Sequence, residues 1–355
     1  MSYLQYKAGP SILGLIRDEG LSPKRVRVFA GPAGGPKWFV SVGFDRMLIK
    51  SRFLQRGSER VVLAGASAGA WRCLTMACAD PLDAHERLRI AYSRNIFTAE
   101  DTPESISRAL RNNVEAFVKP KDVSAILEHP AYSLAIHAVR AKGLAASENR
   151  KAEAAALIAA AAMNFFSPSG VELVFERVIF FSGPQAPDFL HGKFHGTAVK
   201  LTSENLYSAA LATGSLPYIV AGVKNVPGAP PGIYRDGGVV NYQLNQDYLP
   251  GVGGITLFFH YQERIAPGWF DKRLFWRSAA TPQLERVLQV FPSPDFIRLL
   301  PDGRLPDRND FIVYADNTPE RIRRWDEVSR LSDILGDQFI EDVESGRICD
   351  LVQPL

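Results

Sequence analysis

The sequence predicts an α/β fold: a three-layer α/β/α sandwich with a mainly parallel central sheet, held in a single domain over residues 1–355. Three observations predict it. Short strand-type runs alternate with helical stretches along the chain, the order that builds a sheet with helices on its faces. The runs are apolar at successive positions, as in strands covered on both sides. The turn Gly65-Ala66-Ser67-Ala68-Gly69 stands between a strand-type run and a buried helix-type run, which is the layout of a nucleophile elbow.

The elements follow in order. Residues 25–30 and 60–64 read as the first two strands, and residues 70–77 as a buried helix. Residues 81–167 read as mostly helical, with breaks near Pro103, Pro120 and Pro130. This is an insertion placed to cap a site. It closes with an alanine-rich helix, Glu148 to Phe166, stopped by Ser167-Pro168-Ser169-Gly170. Strands are expected at 178–181 and 198–201, a helix at 203–211, and a loop at 225–232 from its prolines and glycines. Residues 233–235 lead into a turn, 255–259 form a strongly apolar strand, and 311–314 form the last strand. Two helices, 319–334 and 337–345, end the reading.

Composition narrows the class. Apolar residues make up 46% of the 355 and charged residues 22%, as in a soluble globular protein with a large core. A net charge of +3 gives no reason to expect a nucleic-acid partner. Cys73, Cys78 and Cys349 are too few and too scattered for a disulfide framework and lack zinc-ligand spacing. The first seven residues lack a signal-peptide pattern, and the longest apolar run, 154–163, is well short of the roughly 20 residues that span a bilayer. A cytoplasmic protein is expected; export without a cleaved signal stays open. Oligomeric state is not legible.

Ser67 is the candidate nucleophile. Gly65 and Gly69 permit the sharp turn, and the helix N-terminus favours developing negative charge. A second glycine cluster, Gly31-Pro32-Ala33-Gly34-Gly35-Pro36-Lys37, follows the first strand. Gly34 and Gly35 can donate N–H groups to an oxyanion, as can Ala68, whereas Pro32 and Pro36 cannot. Lys37 adds positive charge. A phosphate loop fits poorly, because its glycine-to-lysine spacing is absent and Trp38 follows the lysine. Asp236-Gly237-Gly238 ends a strand and turns tightly, so Asp236 can serve as a base for Ser67; alone the tripeptide also reads as a simple turn. The block Ala212-Thr213-Gly214-Ser215-Leu216-Pro217 reads by itself as a helix end.

Taken in this order, the glycine loop, the elbow, the A-x-x-x-x-P-like block and the Asp-Gly-Gly turn resemble the patatin-like phospholipase family over about residues 26–260. The resemblance implies a patatin-like core there, with the helical insertion at 81–167 and a C-terminal extension, 261–355, packed on the core. It implies a lipid acyl hydrolase with a Ser67–Asp236 dyad, no catalytic histidine, Gly34 and Gly35 as oxyanion donors, and Lys37 as the family's basic loop residue. Two positions depart from the family pattern. Ala33 stands where a third glycine is usual, and Trp38 replaces a further glycine, which bears on which acyl groups fit. No metal or organic cofactor is implied.

Two rival readings stay open. Ser67, Asp236 and His260 occur in the chain order of an α/β-hydrolase triad, and a patatin-like scaffold could bind lipid or protein with little turnover. The expected substrate is a phospholipid or other lipid ester. Residues 269–277, with Trp269, Phe270, Phe275 and Trp276 among Lys272, Arg273 and Arg277, suit either a peripheral membrane contact or an amphipathic helix packed on the core.

Overall fold

Eleven strands join one sheet in the computed structural model, which describes residues 2–147, 149–191 and 194–355. Glu148, the expected helix start, lies outside them; that helix runs Arg150–Phe166. The strands are β1 (Leu4–Ala8), β2 (Val26–Gly31), β3 (Val61–Ala66), β4 (Tyr132–Ala141), β5 (Phe175–Phe181), β6 (Thr197–Lys200), β7 (Val223–Lys224), β8 (Ile233–Asp236), β9 (Ile255–Phe259), β10 (Val287–Pro292) and β11 (Val352–Pro354). Their order is β11-β1-β10-β9-β2-β3-β4-β5-β6, with β8 on β4 and β7 on β8.

Five adjacent strands, β10, β9, β2, β3 and β4, run parallel and form the middle of the sheet. Pairing turns antiparallel outside this block, at β1 on β10 and at β5 and β8 on β4. Alternate residues feed two cores. Phe29, Leu63, Leu134, Phe180 and Leu257 enter one, and Val28, Ala30, Ala64, Ala135 and Phe258 enter the other. Burial on both faces explains why these strands are apolar at successive positions. The result is an α/β fold with a mostly parallel central sheet, compatible with three layers. Among the described residues no helix is long and apolar enough to cross a membrane.

Three expectations are corrected. The segment 81–167 is not a helical insertion throughout. The helices Pro81–Ser93, Pro103–Phe117 and Asp122–Leu127 precede β4, which is central to the sheet and buried at all but one position. Its alanines recur every third residue, at 135, 138 and 141, a spacing that lacks a strand's period of two, so the strand is fixed by tertiary burial. Residues 311–314 are not a strand. A short helix, Asp310–Val313, stands there, and Ile312 and Val313 are exposed. The Asp310 carboxylate accepts the Asp307 N–H at 3.0 Å and the Trp325 Nε1–H at 2.9 Å, a local bonding pattern that competes with a strand. The region 261–355 does not merely pack on the core, because β10 lies inside the sheet between β1 and β9.

Candidate active site

Ser67 sits between β3 and the helix Ala68–Met76, with φ 55° and ψ −132°. A non-glycine residue at positive φ is strained and needs support from its surroundings. The support is close backbone packing. A Cβ on Gly69 would lie 2.1 Å from the Gly31 carbonyl oxygen, and one on Gly65 would lie 2.7 Å from the Gly69 carbonyl carbon. The ends of β2 and β3 and the first turn of the helix therefore touch backbone to backbone. The Ser67 N–H donates to Thr213 Oγ1 at 2.9 Å, and the Thr213 hydroxyl donates to the His137 carbonyl at 2.6 Å.

Asp236 arrives from the other end of β4. Ala66, the last residue of β3, lies opposite His137; Asp236, the last residue of β8, lies opposite Ala138. The Asp236 N–H donates to the Ser215 carbonyl at 2.9 Å, and its Oδ1 accepts the Gly238 N–H at 2.7 Å. Ser67 and Asp236 line one cleft of about 10 Å³ with Ala33, Gly34 and Gly238, about the room one water needs. Burial raises the Asp236 pKa to about 6, opposed by the Gly238 N–H, the Ser67 hydroxyl hydrogen bond and the Arg308 charge.

The glycine loop is pinned at Ala33. Its N–H donates to the Tyr242 carbonyl at 2.8 Å, and its carbonyl accepts the Tyr261 hydroxyl at 2.9 Å. Gly34 and Gly35 follow, and Gly35 opens a 3-10 helix, Gly35–Ser41. The first N–H groups of a helix have no partner within it, and Pro36 brings none. Gly35 holds φ 56°, and a Cβ there would meet Arg308 Nε at 3.0 Å. Ala68, the first residue of its helix, lines the adjoining larger cavity. Gly238 stands in the cleft, and Gly237 lies behind it against the His137 carbonyl.

Gly35, expected beside Gly34 as an oxyanion donor, lines neither cavity, and three further expected contacts are absent from the linings. Lys37 lines neither cavity; its Nζ pairs with Asp307 Oδ2 at 2.8 Å. The cation beside Ser67 and Asp236 is Arg308 instead. Trp38 lines neither cavity. It is buried, stacked on Phe39 and edge-on to Tyr92. His260 is fully buried and lines neither cavity; its Nδ1 accepts the Tyr261 N–H at 2.6 Å. Burial first, then the charges of Lys37 and Arg72, hold its pKa well below the usual histidine value. This is a neutral core histidine, not a link between Asp236 and Ser67.

From Ser67 a second cavity of about 390 Å³ opens, lined mainly by apolar residues including Trp71, Phe97, Leu110, Leu216, Val220 and Phe311. Its size and character suit an acyl chain. Thr213, Trp269 and Arg308 were not singled out as site residues by motif reading. Thr213 lies within the A-x-x-x-x-P-like block and was within reach; Arg308 carries no local signal. Among the described residues no cluster of three His, Cys, Asp or Glu is placed to hold a metal ion. No protein-family model matches this sequence and no curated protein matches it, so the patatin-like resemblance rests on the motif residues alone.

Proposed function

We propose that this chain is a serine hydrolase of the patatin-like kind, a lipid acyl hydrolase that cleaves carboxylic esters. The observation that carries the reading is the meeting of Ser67 and Asp236 in a cleft that opens onto an apolar cavity. Ser67 Oγ attacks the ester carbonyl carbon while its proton passes to the Asp236 carboxylate. The carbonyl electron pair moves to oxygen, where the amides of Gly34, Gly35 and Ala68 receive it. As the tetrahedral species collapses, the leaving alkoxide takes the proton from Asp236 and an acyl-Ser67 remains. Water then attacks, gives its proton to Asp236, and the second collapse returns that proton to Ser67.

Buried His260, with Nδ1 bonded to the chain, favours the dyad over the triad. A binding-only scaffold would have no use for a serine held at positive φ beside a carboxyl of raised pKa. The decisive experiment treats the protein with a fluorophosphonate probe and assays acyl-ester hydrolysis. Labelling at Ser67 is expected, with labelling and turnover both lost in folded Ser67→Ala. Full turnover in that variant sinks the reading.

The access route to lipid is an exposed apolar face. Ile158, Phe165 and Phe166 of the helix Arg150–Phe166 are exposed, as are Phe275 and Trp276. The rings of Phe165 and Trp276 stand 6.1 Å apart, edge to face. Arg273 is exposed in the same segment, so an anionic membrane surface fits, whereas the Lys272 ammonium lies over the Tyr242 ring, 5.3 Å from its centroid. Arg277 serves otherwise: it binds Asp271 and the Asn164 and Phe165 carbonyls, fastening the segment to the end of that helix.

A further inference from the structure

We propose that Arg308 is a specificity residue that recognises an anionic group on the alcohol side of the ester, a proposal that rests on the ester-hydrolase reading above. Four residues line both the Ser67–Asp236 cleft and the apolar cavity: Ser67, Leu216, Trp269 and Arg308. Arg308 is the only cation among them. Among the described residues, the charged ones lining the two spaces are Asp236 and Arg308 alone. One end of the joined site is therefore apolar, and a guanidinium stands at the junction where the scissile bond must lie.

That guanidinium has no carboxylate partner within ion-pair distance among the described residues. The adjacent acid, Asp307, is already taken by Lys37 at 2.8 Å. Asp236 feels the Arg308 charge through space while its own Oδ1 is bonded to the Gly238 N–H. Gly35 makes the room. Its missing side chain would stand 3.0 Å from Arg308 Nε, so the arginine lies directly over the amide loop. A guanidinium offers five N–H donors in a planar fork that matches a phosphate or a carboxylate. With an acyl chain in the apolar cavity and its carbonyl at Ser67, the alcohol portion emerges past Arg308. An anion there completes donors that the protein leaves unpaired.

The competing role is electrostatic only: Arg308 would help hold the Asp236 carboxyl ionised, and would then act on every substrate alike. Soluble octanoyl esters separate the two. The rates to compare are those on 1-octanoylglycerol 3-phosphate, octanoyl lactate and neutral 1-octanoylglycerol, for the wild type, Arg308→Gln and Arg308→Lys. The wild type is expected to prefer the anionic esters. Arg308→Gln lowers the anionic-to-neutral ratio of kcat/KM by about 10- to 100-fold, chiefly through KM, as loss of a charge-assisted bond implies. Arg308→Lys restores part of it. The phosphate and lactate arms decide which anion fits better. An unchanged ratio, with a uniform loss and a displaced pH profile, overturns the proposal in favour of the electrostatic role. If no ester is cleaved, octyl phosphate binding to Ser67→Ala is measured with and without Arg308→Gln. Loss of binding then upholds the anion site while the hydrolase reading falls, and equal binding overturns the site.

Discussion

Ser67 and Asp236 meet because one strand sets the position of both. Along a single edge of β4, β3 pairs as far as His137 and β8 takes over at Ala138. The serine follows directly on Ala66, opposite His137, and the aspartate stands opposite the next residue. Their approach is thus fixed by backbone register, which sheet hydrogen bonding holds more rigidly than loop packing holds a side chain. Thr213 ties the same point from below, bonding the Ser67 N–H and the His137 carbonyl together.

In the proposed dyad the acidity of Asp236 sets the pH dependence. Its carboxyl titrates near 6, raised by burial from the ordinary 3.8. A base must be ionised to accept the serine proton, so kcat/KM should fall below about pH 6 and level off above it. Folding takes up a proton between pH 4 and 6, so stability falls as pH rises through that window. The loss above pH 6 amounts to about 3 kcal/mol. Asp236→Asn removes this cost while keeping an oxygen for the Gly238 N–H. It should abolish turnover yet raise the melting temperature at pH 8, with the gain fading below pH 4. A melting curve equal to wild type at pH 8 contradicts the assignment.

Replacing Thr213 by valine keeps the shape and removes the hydroxyl. The buried Ser67 N–H and His137 carbonyl each lose a partner, at a cost of about 1–3 kcal/mol apiece. Because Ser67 is held at positive φ, the elbow should relax as well as weaken. The expected result is a kcat loss of at least about 10-fold together with slower fluorophosphonate labelling of Ser67. Thr213→Ser, which restores the hydroxyl, should recover most of both. A variant that is less stable but labels at the wild-type rate would reduce Thr213 to a structural tie.

The same geometry explains what the sequence could disclose. The elbow was legible because glycine-serine-glycine between apolar runs is a local requirement: a Cβ on Gly69 meets Gly31 at 2.1 Å. The strands β2, β3 and β9 were legible within a residue or two at each end, since Val, Ile, Leu and Phe make up half or more of each. β4 was not. Tyr132-Ser133-Leu134-Ala135-Ile136-His137-Ala138 has no local preference strong enough to outweigh the helices around it. Its strand state follows from pairing with β3, β5 and β8, which are distant in the chain. Arg308 was hidden for a similar reason: it reaches Gly35 from a loop distant in the chain.

His260→Ala separates the two nucleophilic schemes. The imidazole is enclosed against Phe258 and Tyr261 and accepts a main-chain N–H. Removing it leaves a cavity and should lower the melting temperature. Turnover at a temperature where the variant is folded should stay within about 10-fold of wild type, since in the proposed dyad no proton passes through the ring. A drop of several orders of magnitude in the folded variant would reinstate the triad.

Binding to a lipid surface should depend on aromatic residues that the active site does not use. Phe166 and Trp276 are 86% and 70% exposed, in the face shared by the helix Arg150–Phe166 and the segment after Trp269. Transfer of two such rings into an interface outweighs the modest attraction of Arg273 for anionic headgroups. The double variant Phe166→Ser, Trp276→Ser should therefore bind vesicles of anionic phospholipid about 10-fold or more weakly, while cleaving a soluble octanoyl ester as the wild type does. Reversing Arg273 to glutamate should have a smaller effect, and one that high salt abolishes, because screening acts on the charge and not on the rings. Vesicle affinity that survives loss of both rings would move the contact elsewhere on the molecule.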